Sequence, residues 1–497
     1  MWTPATCGAF YKKIRYILQI FTHKSQKYAI ISIEILHMRR IAVKISRIGI
    51  VATLSAAMIF GFASCEVSAG GRTDTPTLSR IAVSGTPSKT LYFVGDNLDT
   101  TGLIVTAIYS DGSTKTVSGW TFSGFSTEKV SLGSKLTVSY TEGGLTKTAD
   151  AGGTFYVAAA KARPTERPAA LTGYTGTLAG GTYYIFGDFP QTISSLTGEN
   201  AYTGKPVYNN WYLGSDGYFY AKCTENACEN NYTYSDGTKV AQENANSEKY
   251  FKVEPIKWRV LNPSAEGNKI LVAENILTAN VAYYDHIYVG RTIGGEIVFP
   301  NNYKHSKIRA YLNGLSYEVK ATDSDLQRPN ATHYGKGFLQ TAFTSTAQAL
   351  IATTTVDNSA ASTNPASNAS MWNSGTNMYA CATTSDKIFL LSMKEATTSD
   401  YGFTEYNVAG EGNSRIRVPT DYAKANHAAK ANTNSGWWWL RSPSYWVDTD
   451  QGGKRHLCRE CTIDIDGKAD ANTVRNEKQL AELKNGVVPA LSISIGN

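Results

Sequence analysis

A chain of 497 residues is long enough for two or three domains, each with its own core. Its 42% hydrophobic content, beside abundant Gly, Ser, Thr, Asn and Tyr, fits a β-rich extracytoplasmic protein. The formal charge of +7 does not mark a nucleic-acid binder. Residues 1–64 hold nine of the 48 Lys/Arg and one of the 41 acids, which leaves 39 basic against 40 acidic residues in the rest of the chain.

From Met38 the chain reads MRRIAVKISR, then a 15-residue apolar stretch from Ile48 to Phe62, then small residues. This is the layout of a secretory signal peptide at 38–64, too short for a permanent membrane span. Residues 1–37 then read as an upstream extension produced by a start codon called too early. Phe62-Ala63-Ser64-Cys65 resembles the lipobox of bacterial lipoproteins, with Phe where Leu is usual, as in spirochaete-like surface lipoproteins. The resemblance implies lipidation of Cys65, partnership with a membrane through the acyl chains, and export to the outer membrane or cell surface. Residues 65–76 follow as a polar tether.

Residues 77–157 show period-2 alternation in short runs such as "TLYFVGD" and "KLTVSYTEGGLTKTA", which predicts an all-β sandwich. Asp111-Gly112 predicts a tight two-residue hairpin turn. On Val94-Gly95-Asp96, Leu103 to Ser113 and Leu136 to Tyr140, the stretch resembles bacterial Ig-like domains, which implies a spacer. The Pro-containing stretch 158–174 reads as a semi-rigid linker.

Residues 175–497 predict a β-rich α+β domain. Strands are expected at Thr182–Ile193, Ile256–Leu261 and Lys269–Asn275, with Trp258 and Val260 on one face. A hairpin is expected at Asp236-Gly237. The best helix is "HSKIRAYLNGLSY", capped by Ser306 and ended at Asn313-Gly314. A buried strand begins "KIFLL" at Lys387. Thr353 to Thr376, rich in Asn, Ser, Ala and Thr, predicts an insertion loop or a disordered segment.

Six ordered motifs, FGDFPQ (186–191), IKWRVL (256–261), IRAYLNG (308–314), IFLLS (388–392), PTDYA (419–423) and WWLRSP (438–443), resemble a bacterial domain family of unknown function. That family ends in G-V-R-P-A; here Gly486-Val487-Val488-Pro489-Ala490 has Val in place of Arg. The layout is also similar to the C-type-lectin-like fold of formylglycine-generating enzymes and ligand-display proteins. In a strand, Trp437, Trp439 and Arg441 face one way and Trp438 and Leu440 the other, which suits a structural core with Arg441 held by backbone carbonyls or an acid. Ser442-Pro443 is expected to end the strand, leaving Tyr445, Trp446 and Asp448 in a loop as candidate ligand-binding residues for a glycan or protein.

Cys223, Cys228, Cys458 and Cys461 offer a disulfide, by a Cys223–Cys228 or a mixed pairing; free buried thiols and a four-thiolate zinc site are the alternatives. Three residues apart in a strand, Cys458 and Cys461 face opposite sides, against zinc. Asp464-x-Asp466-Gly467 lacks the glutamate of a calcium loop and reads as a hairpin turn. No nucleophile elbow, metalloprotease helix, P-loop or dinucleotide fingerprint is present, so no catalytic residue, metal or cofactor is assigned. The expectation is a lipid-anchored surface protein whose outer domain acts as an adhesin or ligand-display module. An envelope enzyme with a cleft in that domain and a purely structural protein are the alternatives.

Overall fold

Period-2 alternation, with one face of each strand buried, builds the N-terminal module. The computed structural model describes residues 75–497 apart from 86, 227–231, 242–246, 280, 284–290, 294–295, 300, 321–326, 364–378, 407, 411, 427, 429–434, 449–454, 471–484 and 496–497. Signal peptide, Cys65 and most of the tether therefore lie outside the described residues. The Ig-like module has strands β1 (Leu78–Ser84), β2 (Leu91–Phe93), β3 (Ile104–Tyr109), β4 (Thr114–Val117), β5 (Thr121–Ser123), β6 (Ser131–Ser134), β7 (Thr137–Glu142), β8 (Leu145–Asp150) and β9 (Phe155–Ala158). They form three-stranded sheets β1-β3-β4, β5-β7-β8 and β2-β9-β6, with β2 and β9 parallel. Ile81, Tyr92, Val105, Val138 and Phe155 are buried between them. The β3–β4 connection differs from the expected two-residue turn. Tyr109 N–H donates to Ser113 O at 3.0 Å, so Ser110, Asp111 and Gly112 form a three-residue loop in which only Gly112 takes positive φ, 81°. That is the geometry of a type I turn closed by a left-handed glycine. Asp236-Gly237 repeats it, with Tyr234 N–H on Thr238 O at 2.8 Å.

The C-terminal domain is organised on one antiparallel sheet. Its strands are β10 (Ala169–Ala170), β11 (Tyr183–Ile193), β12 (Tyr212–Leu213), β13 (Phe219–Thr224), β14 (Glu248–Val260), β15 (Asn268–Ala273), β22 (Ile388–Phe389) and β26 (Ala490–Ser494), in the order β10-β11-β14-β15-β26-β22, with β12-β13 joined to β14. Two-stranded ladders pair β16 (Arg291–Ile293) with β17 (Glu296–Val298), β18 (Tyr317–Lys320) with β19 (Gln327–Asn330), and β20 (Thr354–Val356) with β21 (Thr384–Asp386). The remaining sheet is β23 (Trp438–Asp448), β24 (Arg455–Ile463) and β25 (Ala469–Asp470). Helices are α1 (Lys307–Asn313), α2 (Phe338–Ala342), α3 (Ser345–Leu350), α4 (Ala360–Thr363) and α5 (Asp421–Ala425). None of the described helices is long and apolar enough to cross a membrane.

Helix α1 begins and ends where its local chemistry dictates. Ser306 Oγ accepts from Arg309 N–H at 3.1 Å, and Gly314 closes the helix at φ 67°. Asn313, the last helical residue, then works across the fold. Its Nδ2 donates to Ile388 O at 2.7 Å, and its Oδ1 accepts from the Lys387 and Ile388 amides at 3.1 and 3.0 Å. One amide side chain thus docks α1 on β22. Asp421, in the first turn of α5, accepts from the amides of Ile193 at 3.1 Å and Ser235 at 3.0 Å.

Three further expectations are corrected. Pro443 does not end a strand: β23 runs on to Asp448, with Pro443 opposite Glu460 and a register shift between Trp439 and Pro443. A bulge absorbs the missing N–H. Tyr445, Trp446 and Asp448 are therefore strand residues, facing Cys458, Leu457 and Arg455 in register. Part of the 353–376 stretch is built structure, β20 and α4, around Asn358, whose Nδ2 bonds Val356 O and Ala382 O at 3.2 and 3.1 Å. Finally, the linker is docked along its length, and residues 76–497 form one compact unit.

Candidate functional site

The FGDFPQ stretch is where the sheet breaks its own regularity. Gly187 takes φ 67°, and the β11–β14 register shifts between Ile185 and Asp188. A β-carbon on Gly187 would sit 2.4 Å from the Phe343 ring, so only glycine allows this bulge. The bulge turns Asp188 toward the linker, where its carboxylate accepts from Thr165 N–H at 2.7 Å and Thr165 Oγ1 at 2.9 Å. Burial pushes the Asp188 carboxyl above its usual range, against the pull of those two donors. Gln191 Nε2 spans to Glu254 O and Pro255 O at 2.9 and 3.0 Å, fixing β14 beside it.

Asp188, Pro164, Tyr208 and Trp211 form the shared wall of two adjoining hollows. One, of about 240 Å³, continues over Tyr218, Phe219, Lys252 and Glu254. The other, of about 300 Å³, continues over Asn209, Gln340, Phe343 and Gln348. Together they make a trough between the linker and the C-terminal domain. Its aromatic wall stands on a two-residue turn. Asn209 and Asn210, at φ 45° and 63°, are the non-glycine residues with positive φ among those described. Tyr208 and Trp211 pair across the turn, as the hairpin class that asparagine favours requires. Asn209 Nδ2 crosses to Thr341 O at 2.7 Å. Lys252 Nζ lies 3.5 Å from the centre of the Tyr218 ring, and Glu254 accepts from Thr192 Oγ1 at 2.5 Å.

Chemically, the trough offers half-buried phenol rings, side-chain amides and charges of both signs. Asp188 commits both oxygens to Thr165, so it holds the linker in place rather than standing as a free acid. Rings with polar groups beside them fit an elongated polar ligand with apolar faces.

The residues singled out by sequence lie elsewhere. Trp438 and Trp439 are fully buried and Trp437 is half-buried. Trp438 Nε1 donates to Arg415 O at 3.1 Å, and the Trp439 ring meets Tyr283 at 5.6 Å. Arg441 is buried against an acid and a carbonyl: Nη2 reaches Glu395 Oε1 at 2.8 Å and Nη1 reaches Glu395 Oε2 and Leu390 O. Of Tyr445, Trp446 and Asp448 the backbone is described, and their side chains lie outside the described residues. The Cys223 Sγ lies 3.3 Å from Thr224 O. Cys461 is buried in the main core; Cys228 and the Cys458 side chain lie outside the described residues. Asp464 closes the β24–β25 turn, accepting from the Asp466 and Lys468 amides at 3.0 and 2.8 Å. Among the described residues no group of three or more His, Cys, Asp or Glu side chains is placed to hold a metal ion.

Sequence reading missed the trough and a buried arginine pair. Arg259 and Arg417 are both 0% exposed, and their Nη1 groups converge on Ser414 O at 3.2 and 2.9 Å. Arg259 stacks 4.2 Å from the Phe403 ring centre. Burial, with the neighbouring Arg417 charge, brings Arg259 down to about 9. Alternation puts Arg259 opposite Trp258, a position that is ordinarily solvated; only the Thr177 and Phe403 segments folding over it make it core. The trough had one weak signal, the Tyr-Asn-Asn-Trp string between short aromatic runs.

The family model described as bacterial Ig-like domain (group 3) matches residues 85–152, and that described as domain of unknown function (DUF6273) matches residues 266–495. The FGDFPQ and IKWRVL strands precede the second match yet share its sheet. No curated protein matches the chain. The chain thus carries a group 3 bacterial Ig-like domain followed by a C-terminal DUF6273 domain, in a multi-domain β-rich architecture.

Proposed function

We propose that this chain is an exported lipoprotein, anchored through Cys65 at the outer membrane or cell surface, and that its C-terminal domain is a ligand-binding module. The trough carries this reading: Tyr208, Trp211 and Tyr218 line it together with Asn209, Gln340 and Gln348. Aromatic faces cover the apolar faces of sugar rings, and amides meet their hydroxyls, so the ligand is a glycan. The display role at the surface and the C-type-lectin-like resemblance support the same assignment. An adhesin role follows if the ligand belongs to another cell.

Two measurements test it. Protease treatment of intact cells should remove the C-terminal domain, and metabolic labelling with palmitate should mark the wild type and not Cys65→Ser. In native gels containing soluble polysaccharide, the purified mature chain should be retarded, and Tyr208→Ala should lose that retardation. A domain cut only after lysis sinks the surface assignment. Unretarded migration in every polysaccharide sinks the glycan assignment.

A further inference from the structure

The hairpin that carries the aromatic wall packs away from the main core of its own domain. Trp211, Leu213, Phe219 and Ala221 form a separate apolar cluster with Tyr156 and Ala158 of the Ig-like module, flanked by Phe93. The Phe93 and Phe219 rings meet edge to face at 6.3 Å. Gly217, at the turn between β12 and β13, approaches the Ig-like module so closely that a β-carbon would fall 2.6 Å from Val130 Cγ2 and 2.8 Å from the Ala159 nitrogen. Ala159 N–H donates to Gly217 O at 2.8 Å.

The linker continues this junction. The Arg163 guanidinium lies 4.6 Å from the centre of the Phe93 ring and pairs with Asp96, which Lys89 also contacts at 2.8 Å. Thr165 bonds Asp188, and Thr344 Oγ1 donates to Glu166 at 3.0 Å. Ala169 and Ala170 add a short strand to β11. A passive spacer needs none of these contacts. Its linker would keep its backbone groups in water and leave the next domain free to turn.

We propose that the Ig-like domain is a working part of the binding site, with Phe93, Asp96 and Arg163 as positioning residues for the Tyr208–Phe219 wall. The trough keeps its shape only while the two domains are docked. This rests on the trough being the ligand site, but the docking itself can be measured without any ligand.

The test is hydrogen exchange, followed by mass spectrometry, on the full mature chain. Two variants come from the Ig-like side and the linker, Phe93→Ala and Arg163→Ala; Arg163 is half exposed, so its loss spares both cores. Each should speed exchange in peptides covering 207–221 by at least ten-fold, while β15 and β26 keep their protection and so report an intact domain. Gly217→Val, made from the other side, should speed exchange in β2 and β9. Exchange in these segments within two-fold of the wild type in all three variants overturns the proposal. The same proteins are then run in native gels containing xylan or laminarin. Retardation of the wild type that is lost in Phe93→Ala, whose side chain lines neither hollow, supports the positioning role. Equal retardation of both overturns that role and leaves the glycan reading standing. If neither is retarded while exchange responds as expected, the glycan reading fails and the docking of the two domains is upheld.

Discussion

Replacing Glu395 by Gln should destabilise the C-terminal domain by about 2–3 kcal/mol. Arg441 is 3% exposed at its side chain, and both of its terminal nitrogens face Glu395. Burial alone would raise the Glu395 carboxyl. The Arg441 charge outweighs it and holds the group below its usual range. Removing one partner of a buried ion pair costs about 3–5 kcal/mol, because the other charge stays in a medium that solvates it poorly. Glu395 is 27% exposed, so water reaches the site and the cost falls below that span, to about 2–3 kcal/mol. A glutamine also keeps one acceptor for Arg441 but gives up the charge. Urea unfolding followed by tryptophan emission suits the measurement, since seven of the nine tryptophans lie beyond residue 175. The paired change E395Q/R441M should cost less than E395Q plus R441M, because it leaves no buried charge behind. A loss below about 0.5 kcal/mol in E395Q, or strict additivity in the cycle, would refute the reasoning.

Glu460 is buried, and burial pushes its carboxyl up to about 8. Its folded pKa lies above the unfolded one, so stability is greatest below the ordinary carboxylate range and falls as pH rises toward 8; Glu460→Gln should flatten that fall in urea midpoints measured from pH 5 to 8. Asp96 goes the other way. Burial raises it, but Lys89, Arg163 and the Phe93 amide outweigh burial and hold it at about 2. Its contribution is complete above the ordinary carboxylate range and is lost as pH falls toward 2. Asp96→Asn should therefore lower the melting temperature at pH 6 and leave it unchanged near pH 2. Gly187→Ala forces a β-carbon into the Phe343 ring at a left-handed φ and should cost about 3 kcal/mol in urea unfolding.

Local chemistry settles much of this protein from its sequence alone. Strand alternation in the Ig-like module, the Ser306 cap, the Gly314 stop and the buried run after Lys387 all follow from the few residues around them. Even there the turn class was one residue out at Asp111-Gly112, because loop length depends on how the strands pair and not on the dipeptide. At Pro443 a local rule gave way. The proline that should stop a strand is tolerated at a bulge, since β24 continues past it with its register shifted. What only the tertiary structure decided is long-range. Arg259 and Arg417 come together from positions 158 residues apart, and Asn313 docks on a strand 75 residues away. The trough needs the linker, the Asn209-Asn210 hairpin and the segment around Gln340 at once. No window of sequence contains those groups together, so their meeting is set by the packing of whole elements. The linker shows the same physics. Its prolines and charges read as a semi-rigid connector, and they become a fixed strap only because Asp96, Asp188 and Gly217 supply partners for groups that water would otherwise have satisfied.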